Sequence, residues 1–259
     1  MAYEFIAYEK RDRVAYLKMN RPEVRNALHP PAHAEMAAAL DDFAAAPDCW
    51  VAVITGEGEK AFSAGNDLKY SAQHQGEALA MPKSGFGGMS SRYDLFKPVI
   101  AAVNGFALGG GFEIVLSCDI VIAAEHATLG LPEPRVGLAA LAGGMQRLPR
   151  LIPEKVALGM LLTGVPITAQ RGYELGLVNE VVAATDLMSA AERWAGKICE
   201  CSPTSVRASK QVALQSAGMP LEDAVAKKYP LVGDLLRSED MREGIMAFAE
   251  KRKPQWKGK

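Results

Sequence analysis

Ala102-Val103-Asn104-Gly105-Phe106-Ala107-Leu108-Gly109-Gly110-Gly111-Phe112-Glu113 is the stretch on which the reading of this chain turns. An apolar run breaks into three consecutive glycines, and a carboxylate follows two residues after the last of them. Val99 to Val103 has the apolar character of a buried strand, and Phe112 to Leu116 that of the apolar start of a helix. The glycines therefore lie where a strand hands over to a helix N-terminus. Backbone N–H groups there are unpaired and feel the positive end of the helix dipole, and the missing side chains let a ligand oxygen reach them. Glu113 follows Gly110 by one helical turn, near any oxygen that this N–H holds. An amide donor beside a carboxylate points to carbonyl chemistry, although a glycine triplet also fits two elements that simply pack closely.

A second stretch favours the chemical reading. Val51-Ala52-Val53-Ile54 is a short strand ending at Thr55-Gly56, and after a polar turn comes Ala61-Phe62-Ser63-Ala64-Gly65-Asn66-Asp67-Leu68. Small residues again lead into a helix whose first turn carries Asp67, so Asn66 offers another free N–H. Two such donors, Asn66 and Gly110, converging on one oxygen make an oxyanion hole. A second carboxylate lies in Leu131-Pro132-Glu133-Pro134, where prolines on both sides rule out a helix interior and present Glu133 from a stiff loop. Taken alone, Glu133 also fits a solvent-facing turn.

The 259 residues are 49% hydrophobic, enough to bury one large core, and no linker or repeat divides them. With 29 basic and 30 acidic side chains the net charge is −1, which gives no electrostatic case for nucleic acid or an anionic membrane. No apolar run approaches the ~20 residues of a membrane helix, and Met1 to Lys10 lacks the pattern of a signal peptide, so a cytoplasmic protein is expected. Cys49, Cys118, Cys199 and Cys201 have no zinc-finger or C-x-x-C spacing. His29 and His33 are four apart, but Pro30-Pro31 argues against an uninterrupted helix turning both to one metal; no metal site is expected.

Along the chain, Phe5 to Lys10 and Val14 to Met19 read as a hairpin, Asn20 to Leu28 as a loop, and Ala32 to Ala46 as a helix with Met36, Leu40 and Phe43 turned to the core. Between Tyr70 and Tyr93 the pattern weakens into a glycine-rich segment that reads as mobile. Cys118 to Ala123 is a further strand, and the alternation implies an α/β fold with parallel pairing. Later segments read as helices over Pro153 to Leu162, Thr168 to Leu175, Asp186 to Ile198, Thr204 to Gln215, Leu221 to Leu236 and Glu239 to Lys253, with one strand at Leu177 to Val182. Thr168 and Ser238 stand as N-caps.

The Ser-Ala-Gly-Asn-Asp-Leu segment, the Asn-Gly-x-Ala-x-Gly-Gly-Gly-x-Glu segment, Leu131-Pro132-Glu133, and Gly143-Gly144-x-Gln146-Arg147-Leu148 together resemble the crotonase (enoyl-CoA hydratase/isomerase) superfamily, in order and over nearly the whole chain. The resemblance implies a crotonase-like spiral of β-β-α units over residues 1–195 and a C-terminal helical trimerisation region over 196–259. It implies an acyl-CoA substrate, syn addition of water to a 2-enoyl thioester through a stabilised enolate, and Glu113 and Glu133 as the water-handling pair. No separate cofactor is implied, because coenzyme A is part of the substrate. Arg25, Ala27, Ala64, Asp67 and Leu68 become coenzyme A contacts, with Phe248 and Lys251 reaching the coenzyme A of an adjacent subunit in a homo-trimer or hexamer. From the residues alone, Arg25 also fits a solvated loop arginine, and the 247–253 segment is equally an ordinary basic helix end. The acyl pocket falls to the 70–93 segment.

Both glutamates are present, which separates the chain from relatives that keep one acidic residue and act mainly as isomerases. The Phe-Ser-Ala-Gly-x-Asp-Leu-Lys segment and the Ser-Glu-Asp to Trp-Lys-Gly ending resemble carnitinyl-CoA dehydratases, whereas Leu138 to Ala142 departs from the proline- and glycine-containing segment usual before the Gly-Gly motif. One branch of the superfamily binds RNA; Lys251-Arg252-Lys253 is a short basic run for such a role.

Overall fold

The computed structural model describes residues 3–74 and 80–259. β1 (Ile6–Arg11) and β2 (Val14–Met19) form an antiparallel hairpin, turned by Asp12 and Arg13, which both adopt positive φ. β2 then pairs in parallel with β3 (Val51–Gly56), and β5 (Val99–Val103), β7 (Ile120–Ala124) and β10 (Glu180–Val182) continue the sheet in parallel, in the order β1-β2-β3-β5-β7-β10. A second sheet contains the short strands β4 (Ala61–Ser63), β6 (Phe106–Leu108), β8 (Thr128–Gly130) and β9 (Ile167–Thr168).

The chain alternates between these sheets. β3 leads to β4 and then to α2 (Leu68–Gln73); β5 leads to β6 and then to α3 (Gly110–Val115). β7 leads to β8 and then to a 3-10 turn at Glu133–Val136 and α4 (Gly144–Leu151). This is the expected spiral of β-β-α units, and it brings the ends of β4, β6 and β8 side by side.

Both faces of the large sheet are buried, as a parallel sheet requires. On one face Ala15, Leu17, Met19, Ile54, Ala101 and Val103 meet Met36, Leu40 and Phe43 of α1 (Pro30–Ala45). On the other, Val14, Val51, Val53, Ile100 and Ile122 meet Leu187, Ala190, Ala191 and Ala195 of α7 (Leu187–Cys199). Since successive strand residues face opposite ways, Val51-Ala52-Val53-Ile54 supplies both layers. α5 (Glu154–Thr163) and α6 (Ala169–Glu174) precede α7, which runs on through residue 195 to Cys199; α8 (Pro203–Ser216) and the helices beyond it then form the C-terminal layer.

Several expectations change. Pro30 and Pro31 open α1 rather than interrupting it, because the first N–H groups of a helix need no intrahelical acceptor. His29 and His33 thus do lie one turn apart, but His29 packs edge-on against Phe5 and Tyr70, and His33 against Phe86. The helix read over Leu221 to Leu236 divides into α9 (Leu221–Ala226) and α10 (Pro230–Arg237), since Pro230 takes an opening position and cannot continue a preceding turn. α11 (Glu239–Ala249) stops short of Lys253 as Lys251 enters the left-handed region. Thr168 and Ser238 are N-caps, accepting the N–H of Arg171 at 3.1 Å and of Met241 at 3.0 Å.

The segment read as mobile between Tyr70 and Tyr93 includes residues 75–79, which lie outside the described residues. Its later part is packed rather than loose: Phe86, Gly87, Gly88, Met89 and Ser90 are buried around a 3-10 turn at Phe86–Gly88. The glycines there serve contact, since a Cβ on Gly88 would stand 2.6 Å from the Ala37 backbone of α1. Among the described residues, no helix is long and apolar enough to cross a membrane.

Candidate active site

Two loops meet at the ends of β4 and β6. Gly65 lies so close to the glycine triplet that a Cβ on it would stand 2.7 Å from Leu108 O and 2.9 Å from Gly110 N. Its loop is held from behind by the 25–28 segment: Ala64 N–H donates to Arg25 O, Ser63 Oγ to Asn26 O and Leu28 N–H to Gly65 O. Asp67 N–H donates back to Leu28 O at 2.9 Å, completing a parallel bridge between Leu28 and Asn66. A parallel bridge uses the N–H of the flanking residue, so the Asn66 N–H is turned away from Leu28. Gly110 opens α3, where the first N–H has no intrahelical acceptor. The helix has six residues, so the local amide counts for more here than any long macrodipole.

Each glycine of the triplet is required by space or dihedral angle. Gly109 sits at φ 56°, ψ −129°, a conformation that L side chains avoid. A Cβ on Gly111 would meet Ser63 O at 2.3 Å, and one on Gly110 would enter the Phe86 ring at 2.4 Å.

The two glutamates come from the two ends of this region, and the charge of the Glu133 carboxyl is felt at that of Glu113. Glu113 donates its N–H to Gly109 O at 3.0 Å, while Glu133 Oε1 lies 3.3 Å from the position a Gly109 Cβ would take. Glu113 is 3% exposed, and its Oε1 accepts the Gly144 N–H at 2.8 Å. Burial pushes the Glu113 carboxyl up to about 7; the Gly144 N–H opposes this, and the charge of Glu133 adds to it. Burial also raises the pKa of Glu133, whose Oε2 is buried without a hydrogen-bond partner among the described residues. A buried, unpaired acceptor is costly unless something else fills the bond, so this oxygen is aimed at a place for a donor. Burial thus shifts both carboxyls toward keeping a proton at a pH where free carboxylates have lost theirs.

The residues read as coenzyme A contacts are distributed differently. Ala27, Ala64 and Asp67 lie along the two loops just described, and Arg25 is exposed beside them in a left-handed turn, its guanidinium 5.9 Å from the Phe106 ring. The Asp67 carboxylate is already engaged: it pairs with Arg21 at 3.0 Å and caps α2 through the Tyr70 N–H. Leu68 is exposed at the start of α2. Phe248, 88% exposed, and Lys251 lie at the end of α11, which packs on α10 and through it on α8, so one chain does not bring them to the carboxyl pair.

The sequence reading passed over Phe86, whose ring covers Gly110, and His33, whose Nδ1 accepts the Gly87 N–H at 3.1 Å and so holds the Phe86 turn in place. An aromatic residue set among glycines in Gly85-Phe86-Gly87-Gly88 was the available signal. Among the described residues, no group of three or more His, Cys, Asp or Glu side chains is arranged to hold a metal.

A parallel β-β-α spiral with paired carboxyls beside glycine amides defines a crotonase-type site. A family model described as enoyl-CoA hydratase/isomerase matches residues 9–259. The chain is 40% identical over 250 residues to a carnitinyl-CoA dehydratase of Salmonella agona, covering 94% of each. It superposes on the crystal structure of an enoyl-CoA hydratase from Mycobacterium tuberculosis with TM-score 0.92 and 37% identity over 98% of this chain and 99% of that one. An enoyl-CoA hydratase from Bacillus anthracis gives TM-score 0.92 and 36% identity over 99% and 100%. The chain belongs to the enoyl-CoA hydratase/isomerase family, the crotonase superfamily, and is an enzyme of the lyase type.

Proposed function

We propose that the protein catalyses reversible addition of water to a 2-enoyl-CoA thioester. The observation that carries this reading is a pair of interacting carboxyls at the glycine turn: Glu133, whose Oε1 stands beside Gly109, and the buried Glu113, which the charge of Glu133 reaches. The thioester oxygen would lie between the N–H groups of Asn66 and Gly110. Water adds at the β-carbon, the C=C electron pair moves toward the thioester, and negative charge collects on that oxygen, where preorganised donors stabilise it. Glu113 would hold the water and take its proton, and Glu133 would act as the principal acid/base that protonates the α-carbon. One water is consumed: its hydroxyl goes to the β-carbon and its proton to Glu113, Glu133 gives its own proton to the α-carbon, and passage of a proton from Glu113 back to Glu133 resets the pair, with no separate cofactor because coenzyme A belongs to the substrate.

The identity to a carnitinyl-CoA dehydratase supports a second reading, in which the acyl group carries a quaternary ammonium. Such a group favours an aromatic ring, and Phe86 is the aromatic residue that packs on Gly110. We further propose a homo-trimer or hexamer: Leu214, Leu221, Val225, Leu236, Ile245 and Phe248 leave much apolar surface open on the C-terminal helices.

The test is loss of the conjugated enoyl-thioester absorbance when purified protein meets crotonyl-CoA, with Glu113→Gln and Glu133→Gln alongside. Rapid loss in the wild type and near-abolition in both variants is the expected result; wild-type turnover by Glu133→Gln would remove its acid/base role. Absence of crotonyl-CoA turnover with fast hydration of crotonobetainyl-CoA would favour the second reading, and conversion of 3-enoyl-CoA would reveal isomerase activity.

A further inference from the structure

Arg147 stands in α4, three residues after the Gly144 whose N–H holds Glu113. Its guanidinium reaches two backbone carbonyls in different segments: Nη2 donates to Ser90 O at 2.8 Å and Nη1 to Ala142 O at 3.4 Å. The Tyr93 ring centre lies 5.8 Å from Cζ. Ser90 belongs to the turn that lays Phe86 over Gly110, and its Oγ accepts the Phe86 N–H at 2.8 Å. Ala142 begins the Ala142-Gly143-Gly144 loop that presents an amide to Glu113. Gly143 leaves room for the arginine, since a Cβ there would stand 2.0 Å from Nη1. Among the described residues Arg147 makes no salt bridge, so its charge is not spent on a carboxylate partner.

We propose that Arg147 is a positioning residue: by binding the Ser90 and Ala142 carbonyls at once, it locks the Phe86 turn to the Gly144 loop and keeps the Gly144 N–H on Glu113 Oε1. The proposal rests on the reading of Glu113 as the group that handles the water. A planar guanidinium with its donors in a fixed fork is suited to joining two carbonyls, which a single ammonium group does less well. The same charge favours the ionised form of Glu113. Other titratable groups on the elements around α3 do not replace it. Glu133 raises the proton affinity of Glu113; Cys118, just beyond α3, stays a neutral thiol because burial raises its pKa; and His33, behind Phe86, is neutral because burial lowers its pKa to about 4.

Arg147→Gln and Arg147→Lys in the full chain test this with two readouts. The first is the carboxyl-carbon NMR titration of Glu113 in ligand-free protein, with its signal assigned by loss in Glu113→Gln. The second is kcat and KM for crotonyl-CoA. Arg147→Gln is expected to raise the Glu113 midpoint by roughly half to one pH unit, and to lower kcat roughly 10- to 100-fold at nearly constant KM because the carboxyl is misplaced. Arg147→Lys keeps the charge but not the fork, so its midpoint should stay above that of the wild type, by less than in Arg147→Gln, and its kcat should remain low. A folded Arg147→Gln protein with wild-type midpoint and kcat overturns the proposal, and if that variant does not fold, wild-type kcat in Arg147→Lys does so. Should the wild type fail to hydrate crotonyl-CoA, the proposed function falls separately: the ligand-free titration of Arg147→Lys, which keeps the charge, still decides, an unmoved midpoint overturning the role of Arg147 and a raised one supporting it.

Discussion

Glu113 Oε1 accepts a hydrogen bond from the backbone N–H of Gly144 at 2.8 Å, although the two residues are 31 positions apart. This bond holds a buried carboxyl near the second one, Glu133, and opposes the rise in proton affinity that burial causes. Glu113→Gln retains an acceptor oxygen for the Gly144 N–H but cannot exchange a proton. Stopped-flow or steady-state hydration assays should show a fall in kcat of roughly 10²- to 10⁴-fold with an unchanged circular dichroism spectrum.

The same substitution predicts a pH-dependent gain in stability. Glu113 titrates at about 7 in the folded chain, above the ordinary 4.5 that it recovers on unfolding. The unfolded chain therefore loses this proton first as pH rises, and stability present below about pH 4.5 is lost progressively up to about 7. Glu113→Gln lacks this loss. In urea melts it should match the wild type near pH 4.5 and exceed it above pH 7, by on the order of 3 kcal/mol at about 1.4 kcal/mol per pKa unit. A gap that shrinks as pH rises would contradict the burial of an ionisable Glu113.

Gly110→Ala places a methyl where the Phe86 ring lies, 2.4 Å from Cε1. Phe86 must then leave its seat against the amide. The expected outcome is loss of hydration equal to or beyond the about 2.7–4 kcal/mol of a missing oxyanion donor, together with a lower thermal midpoint. Wild-type kinetics would show that the ring and the amide are uncoupled.

Arg21 and Asp67 form a largely buried ion pair, and Asp67 also caps α2 beside Asn66. Removing one partner leaves a charge with no counterion in a poorly solvated place. Arg21→Met should cost about 3–5 kcal/mol in chemical denaturation, and Asp67→Asn less, since an amide oxygen can still accept the Tyr70 N–H.

Phe248 is 88% exposed on α11, far from the carboxyl pair within its own chain. If the assembled enzyme uses it against a neighbour's coenzyme A, Phe248→Ala should raise KM several-fold at constant kcat. Light scattering on the same sample would report the subunit count, and an unchanged KM in an intact trimer would leave Phe248 as a surface residue.

The glycine triplet, the paired strands and the two glutamates were legible because their constraints are local. A position at φ 56°, ψ −129° and a Cβ-free approach of 2.3 Å to Ser63 O each demand glycine whatever surrounds them. The caps Thr168 and Ser238 were legible for the same reason, each bond closing over three residues. Reading Pro30-Pro31 as an interruption failed because proline breaks a helix only where an N–H is owed to an earlier carbonyl, and at the opening turn none is.

Residue types and their spacing were enough to read an α/β chain with parallel pairing that carries glycine amides and two carboxyls, and the β-β-α spiral came from the resemblance those motifs carry. They left open how firmly each carboxyl holds a proton. That depends on the Gly144 amide, on the neighbouring glutamate and on the exclusion of water around Glu113, contributions from segments far apart in sequence. The Phe86 cover on Gly110 and the Arg147 link between Ser90 and Ala142 are likewise decided by packing. Local order along the chain limits which dihedral angles and turns are possible, whereas desolvation and Coulomb interaction are sums over everything nearby in space, and only the folded arrangement specifies that sum.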